Sequence, residues 1–106
     1  MFVELNLESL HGICKPENFQ ITIHAAERLK QRGIVLEDIM NCILHGEIIE
    51  QYPTDYPLPS CLILGVSISQ EKIHVVVGSD LVCIWIITAY KPSIEKWEDD
   101  YKTRKE

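Results

Sequence analysis

The residues best suited to chemistry are His24, Arg28 and Arg32, set four apart in the run His24-Ala25-Ala26-Glu27-Arg28-Leu29-Lys30-Gln31-Arg32-Gly33-Ile34. At about 100° per residue, these three side chains form one polar row along a helix, drifting by about 40° per step. Guanidinium forks bind phosphate or carboxylate bidentately, and an imidazole exchanges a proton near neutral pH, so the row reads as an oxyanion clamp with a titratable neighbour. The same spacing also describes an ordinary solvated helix face whose arginines pair with nearby carboxylates. Two further residues extend the first reading. Metal-independent RNA cleavage needs a base for the ribose 2′-hydroxyl, a cation for the phosphorane charge and an acid for the leaving oxygen. His24 or His74 can supply base and acid, Arg28 and Arg32 the clamp, and Tyr90 a hydroxyl. A shared site demands that all five converge.

Each of these residues also has a quieter role. In the apolar run Lys72 to Gly78, Ile73, Val75 and Val77 face one way and His74 and Val76 the other, so His74 lies in a cleft or in the core according to which side meets the helices. His24 starts a helix, where the dipole disfavours its protonated form. Tyr90 at a strand end can be a core plug, and Trp97 with Ile94 docks a last helix.

The elements that must position these residues follow from periodicity. Residues 1–18 form a lead-in, with a helical turn or extended piece at Leu5 to Leu10, and Phe19 to Ile23 alternates as a half-buried strand. The His24 helix ends at Gly33 as a left-handed cap. Ile34 to Gly46 is a second helix with Leu36, Ile39, Met40 and Ile43 on one face. Glu47–Tyr52, Cys61–Ile68, Lys72–Gly78 and Leu81–Tyr90 read as strands joined by short turns and the loop Pro53 to Pro59, which makes sequential neighbours antiparallel. Pro92 ends the last strand, Ser93 caps a short C-terminal helix, and residues 98–106 form a charged, frayed tail. The expected fold is α+β: one domain over residues 1–106, two N-terminal helices on one face of an antiparallel meander sheet of about four strands, and a short C-terminal helix.

Composition narrows the function classes. A chain of 106 residues with 46% hydrophobic and 25% charged content suits one core. No stretch approaches the roughly 20 apolar residues of a membrane span, and Met1 to Leu5 lacks the basic start of a secretory signal, so a cytoplasmic setting without membrane contact is expected. Cys14, Cys42, Cys61 and Cys83 are far apart with no Cys-x-x-Cys pair, which suits reduced, buried thiols and neither a zinc site nor a disulfide framework; no metal and no cofactor is expected. The net charge of −6 is local: between Ile34 and Tyr90 Lys72 is the only base against seven acids, while both flanks balance. Nucleic-acid binding would therefore have to come from a patch built by the His24 helix and the Lys91 to Lys105 segment. Tyr52, Tyr56 and the intervening prolines offer an aromatic rim for a protein partner, or a rigid connection between strands.

The order His24-Ala-x-x-Arg28-x-x-x-Arg32-Gly33-Ile34, Gly46-Glu47-Ile48-Ile49, Tyr52-Pro53, Leu62-Ile63-Leu64-Gly65, His74-Val75-Val76-Val77 and Thr88-Ala89-Tyr90-x-Pro92 resembles a bacterial family of small domains of unknown function, from about Phe19 to Trp97. One departure is Val35, where relatives tend to carry a serine cap. More distantly, the element order is similar to the RelE and ParE type of toxin fold, some members of which cut messenger RNA; fold alone does not fix function. Three classes follow. The first is a RelE-like ribonuclease toxin or an inactive relative, acting on RNA. The second is an acidic protein-binding module such as an antitoxin, immunity or regulatory partner, and the third a small-ligand or phosphate-ester domain. A homo-oligomer is compatible with each.

Overall fold

The computed structural model describes residues 4–105. Met1 to Val3, read above for a secretory start, and Glu106 at the end of the expected tail lie outside the described residues. Among the described residues three α-helices, α1 (Leu7–Ile13), α2 (Ile23–Gln31) and α3 (Leu36–His45), and a 3-10 turn at Pro16–Asn18 accompany five strands, β1 (Phe19–Ile21), β2 (Glu47–Tyr52), β3 (Ser60–Val66), β4 (Lys72–Ser79) and β5 (Ile84–Tyr90). The sheet order is β1-β5-β4-β3-β2. From β2 to β5 every pairing is antiparallel, the meander that short turns dictate. The expected four strands become five because β1 joins β5 in parallel, Phe19 opposite Ile84 and Ile21 opposite Ile86. Its parallel partner is distant in sequence, beyond the reach of local patterning.

The helices cover one face of this sheet. Leu29 of α2, Ile39, Cys42 and Ile43 of α3, and Leu10 of α1 pack against Cys61, Ile63, Ile73, Val75, Val77, Ile84, Ile86 and Ala89. Gly65 lets α3 reach the sheet: a Cβ there would stand 2.7 Å from Cys42 Sγ. Between α2 and α3, Gly33 adopts φ +69°, the left-handed cap expected of it. Val35 has no side-chain acceptor for the start of α3, so only half of a capping box forms, with the Val35 N–H donating to Asp38 Oδ2 at 3.0 Å. Asp38 Oδ1 accepts from the Ile68 N–H at 3.0 Å, tying the β3–β4 turn to the same helix end.

Two bulges set which side chains reach the other face. Ile49 is an extra residue in β2, since Ile48 pairs with Ile63 and Glu50 with Leu62. Ile87 is extra in β5, since Val77 pairs with Ile86 and Val76 with Thr88. An added residue reverses the in-out phase of all that follows. Glu50, Tyr52 and Tyr90 are thereby turned to the side of His74, and Ala89 to the core.

The C-terminal segment differs from expectation. Ser93 starts a single turn, with the Lys96 and Trp97 N–H groups both reaching its carbonyl, and no helix follows. Asp100 Oδ1 instead accepts from the Lys102 and Thr103 N–H groups, favouring a tight turn over a helix. Trp97 bridges to Arg104, and the Lys105 N–H donates to the Lys96 carbonyl at 3.0 Å. The expected frayed tail is a small hairpin folded across the sheet face opposite the helices. Leu81 to Cys83, expected as strand, form a turn in which Asp80 Oδ1 accepts from the Val82 and Cys83 N–H groups.

Candidate functional site

His74 resolves the ambiguity left by its strand. Ile73, Val75 and Val77 meet the helices, so His74 points to the opposite face, yet its exposure is 0% because the tail covers it. Its Nε2 lies 2.7 Å from the Tyr101 carbonyl oxygen and its Nδ1 3.2 Å from Tyr90 Oη. A carbonyl only accepts, so Nε2 carries the proton and Nδ1 accepts from the Tyr90 hydroxyl. Trp97 stands edge-on to the imidazole at 4.5 Å, and Arg104 lies over the indole at 4.6 Å. Arg104 closes the cluster by donating to both Glu50 carboxylate oxygens at 2.8 and 3.0 Å, and the Tyr52 hydroxyl donates to the same carboxylate.

The electrostatics follow from this packing. Burial lowers the His74 pKa from its ordinary value, partly countered by the bond to Tyr101. Burial likewise raises Tyr90, and it pushes Tyr52 up to about 12, assisted by Glu50. The Arg104 hydrogen bond holds Glu50 below the usual carboxylate range.

A recess of about 450 Å³ opens beside this cluster, lined by Arg32, Tyr90, Lys91, Ser93, Lys96, Trp97 and Arg104. Arg32 arrives from the end of α2, where its Nη1 donates to the Ala89 carbonyl at 2.8 Å and to Thr88 Oγ1 at 3.2 Å, on the stretch of β5 beyond β1. Lys91 pairs with Glu71 at 3.0 Å and Arg104 with Glu50, while Lys96 makes no ion pair among the described residues. The recess can hold an oxyanion against several cations.

The opposite end of the same face is apolar. A groove of about 740 Å³ is lined chiefly by Tyr56, Pro57, Leu58, Trp85 and Ile87, with Asp55 and Asp80 at its rim. Tyr56 is 95% exposed, Ile87 47% and Trp85 40%.

The five residues singled out from sequence therefore separate. Arg32 and Tyr90 line one recess, and His74 sits beneath Tyr90. Arg28 and His24 are exposed on α2, and among the described residues their side chains make no hydrogen bond or ion pair. Along the helix axis they stand about 6 Å and about 12 Å back from Arg32. Of the other residues at the site, sequence reasoning missed Glu50, on a bulged strand, and Tyr101, in the segment read as a frayed tail; Tyr52 was weighed only as part of an aromatic rim, and Lys96 and Arg104 only as members of the basic Lys91 to Lys105 segment. Trp97, expected to dock a last helix with Ile94, instead seats this segment on His74 of the sheet.

The four cysteines are free thiols, three of them buried, and burial pushes Cys42 and Cys61 up to about 12. No helix among the described residues is long and apolar enough to cross a membrane. The sequence profile described as Domain of unknown function (DUF4258) matches residues 21–91, more than half of the chain. The chain belongs to the DUF4258 family. No curated protein and no solved structure matches it. The DUF4258 segment runs from the last residue of β1 to Lys91, so it contains the whole apolar groove but only Arg32, Tyr90 and Lys91 of the recess. Ser93, Lys96, Trp97 and Arg104 come from beyond the DUF4258 match.

Proposed function

We propose that this is a bacterial, cytoplasmic relative of the RelE-type toxins that holds an RNA phosphodiester in the recess between Arg32 and Arg104, and that it binds RNA without cutting it. One observation carries the reading: in a chain of net charge −6, four cationic side chains gather around one recess, with Lys96 uncommitted. Arg28, one turn back on the exposed side of α2, lies where a neighbouring phosphate would run, and His24 one turn further. Cleavage fits less well. A base must reach the 2′-hydroxyl, but His74 is fully buried with both ring nitrogens engaged, and Tyr90 spends its proton on His74. In this reading Arg32 and Lys96 contact the phosphate, and His74 is a positioning residue that orients Tyr90.

Fluorescence anisotropy with a labelled single-stranded RNA, titrated at several salt concentrations, tests it. Arg32→Ala and Lys96→Ala should each weaken binding and reduce the slope of log affinity against log salt by about 0.7. Unchanged slopes would remove the recess as the RNA site. Expression in growing cells, followed by mapping of messenger RNA ends, should show intact transcripts; new ends lost in Arg32→Ala would overturn the non-cleaving part.

A further inference from the structure

We infer that the groove between the Tyr56 loop and β5 is a docking site for a basic amphipathic helix of a partner protein. This goes beyond the RNA reading and does not rest on it. The groove's apolar side chains stand on a constrained backbone: Tyr56 sits in a loop punctuated by Pro53, Pro57 and Pro59, and Trp85 and Ile87 project from a strand bonded on both sides over Ile84 to Ile86. A backbone fixed before binding leaves only side-chain freedom to be lost. Large exposed apolar side chains gathered on one concave surface mark an interaction site.

Charge selects the occupant. Asp55 and Asp80 stand on the rim, and among the described residues none that lines the groove is basic. Both carboxylates are fixed by hydrogen bonds, Asp55 from the Ser60 hydroxyl and Asp80 from the Val82 and Cys83 N–H groups. The groove also lies within the Ile34 to Tyr90 stretch that carries the whole negative excess of the chain, Thr22 excepted. A second copy would bring the same acidic groove and is disfavoured by like charge. Strand addition is closed as well, because β1 already occupies the β5 edge beside Trp85. What remains is insertion of side chains from a helix with leucine-like residues on one face and lysine or arginine beside them.

The test uses the whole chain, labelled with nitrogen-15, titrated with a leucine–lysine amphipathic helical peptide and with its leucine–glutamate counterpart. The lysine peptide should shift the Trp85 indole and the Gly78 and Ile87 amides, and the glutamate peptide should not. Asp55→Asn with Asp80→Asn keeps an acceptor at each turn, so the fold survives, and should weaken the lysine peptide about five- to tenfold. Ile87→Lys should abolish binding. Equal binding of both peptides, shifts confined to the Arg32 recess, or concentration-dependent shifts of the groove in the free protein would each overturn the assignment, the last by making a second copy the occupant.

Discussion

The two ends of the open sheet face solve one problem in opposite ways. Helices cover only one side of the sheet, and the other side still carries Leu62, Leu64, Val76, Trp85 and Ile87. At the β2–β4 end the chain covers that side with its own tail, which brings Trp97, Tyr101 and Arg104 onto His74, Tyr90 and Glu50. At the other end Tyr56, Trp85 and Ile87 are left in solvent. At the covered end the polar side chains are hydrogen-bonded to one another or to the backbone, and among the described residues no buried side-chain polar atom lacks a partner. Residues that hold the fold thus lie at one end and residues available for binding at the other, although both groups contain aromatics.

The largest effect should come from His74→Ala. It leaves the Tyr101 carbonyl and the Tyr90 hydroxyl without partners and opens a void beneath Trp97, so a loss of about 2–4 kcal/mol is expected in urea denaturation. A loss below about 1 kcal/mol would mean that the tail is held by its surface contacts alone, and the contrast between the two ends would fail.

Solution pH gives a smaller, graded effect with a defined sign. The folded His74 pKa lies below its ordinary value, and the unfolded one returns to about 6.5. Between the two, the unfolded chain binds more protons, so this contribution to stability is complete above about pH 6.5 and is lost as pH falls through the window below it, at no more than about 1.4 kcal/mol per pH unit. Glu50 acts in a separate and lower window, because its folded pKa is depressed and its stabilisation is lost only as pH falls below the ordinary carboxylate value. Denaturation midpoints across this range, with His74→Gln as the control lacking the upper step, check it. In the recess the same proton works in reverse. If the recess holds RNA as proposed, protonated His74 donates through Nδ1 and frees the Tyr90 hydroxyl to face the phosphate, so RNA affinity should rise only as pH falls below about 6.5.

Much of this fold was legible in the sequence, and what was not has identifiable causes. The meander from Glu47 to Tyr90 is visible because period-two patterning and short turns act locally. His74 was undecidable because Val76 beside it is apolar, so neither side of β4 reads as solvent. The bulges at Ile49 and Ile87 change phase only relative to a partner strand, and no single-strand pattern records them. The tail's charges suggested fraying, whereas Trp97 and Arg104 are committed by contacts with β2 and β4, distant in sequence. The α2 row was correctly read as a helix, but only Arg32, at its C-cap, reaches Thr88 and Ala89 of β5 and the recess, while His24 and Arg28 stay exposed.

Arg104→Ala sharpens the comparison at the covered end. Its pairing with Glu50 is bidentate but substantially exposed, with side-chain accessibilities of 59% and 24%, and the stacking on Trp97 is shared with solvent. A stability loss of no more than about 1 kcal/mol is expected, with faster hydrogen exchange at the Glu98 and Lys105 amides that close the hairpin. Unchanged exchange there would show that the hairpin stands without its sheet contact.

Tyr56→Ser should have the smallest effect on stability and is the sharpest test of the open end. With 95% of the residue exposed, the ring removes only roughly 10 Å² from water, worth about 0.25 kcal/mol at about 25 cal/mol per Å², so the denaturation midpoint should hardly move. The same substitution should weaken the leucine–lysine peptide severalfold, because an exposed aromatic side chain contributes its area only when a partner covers it. A stability loss above about 1 kcal/mol would make the loop part of the folding core, and an unchanged peptide affinity would move the docking surface away from the Tyr56 side of the groove.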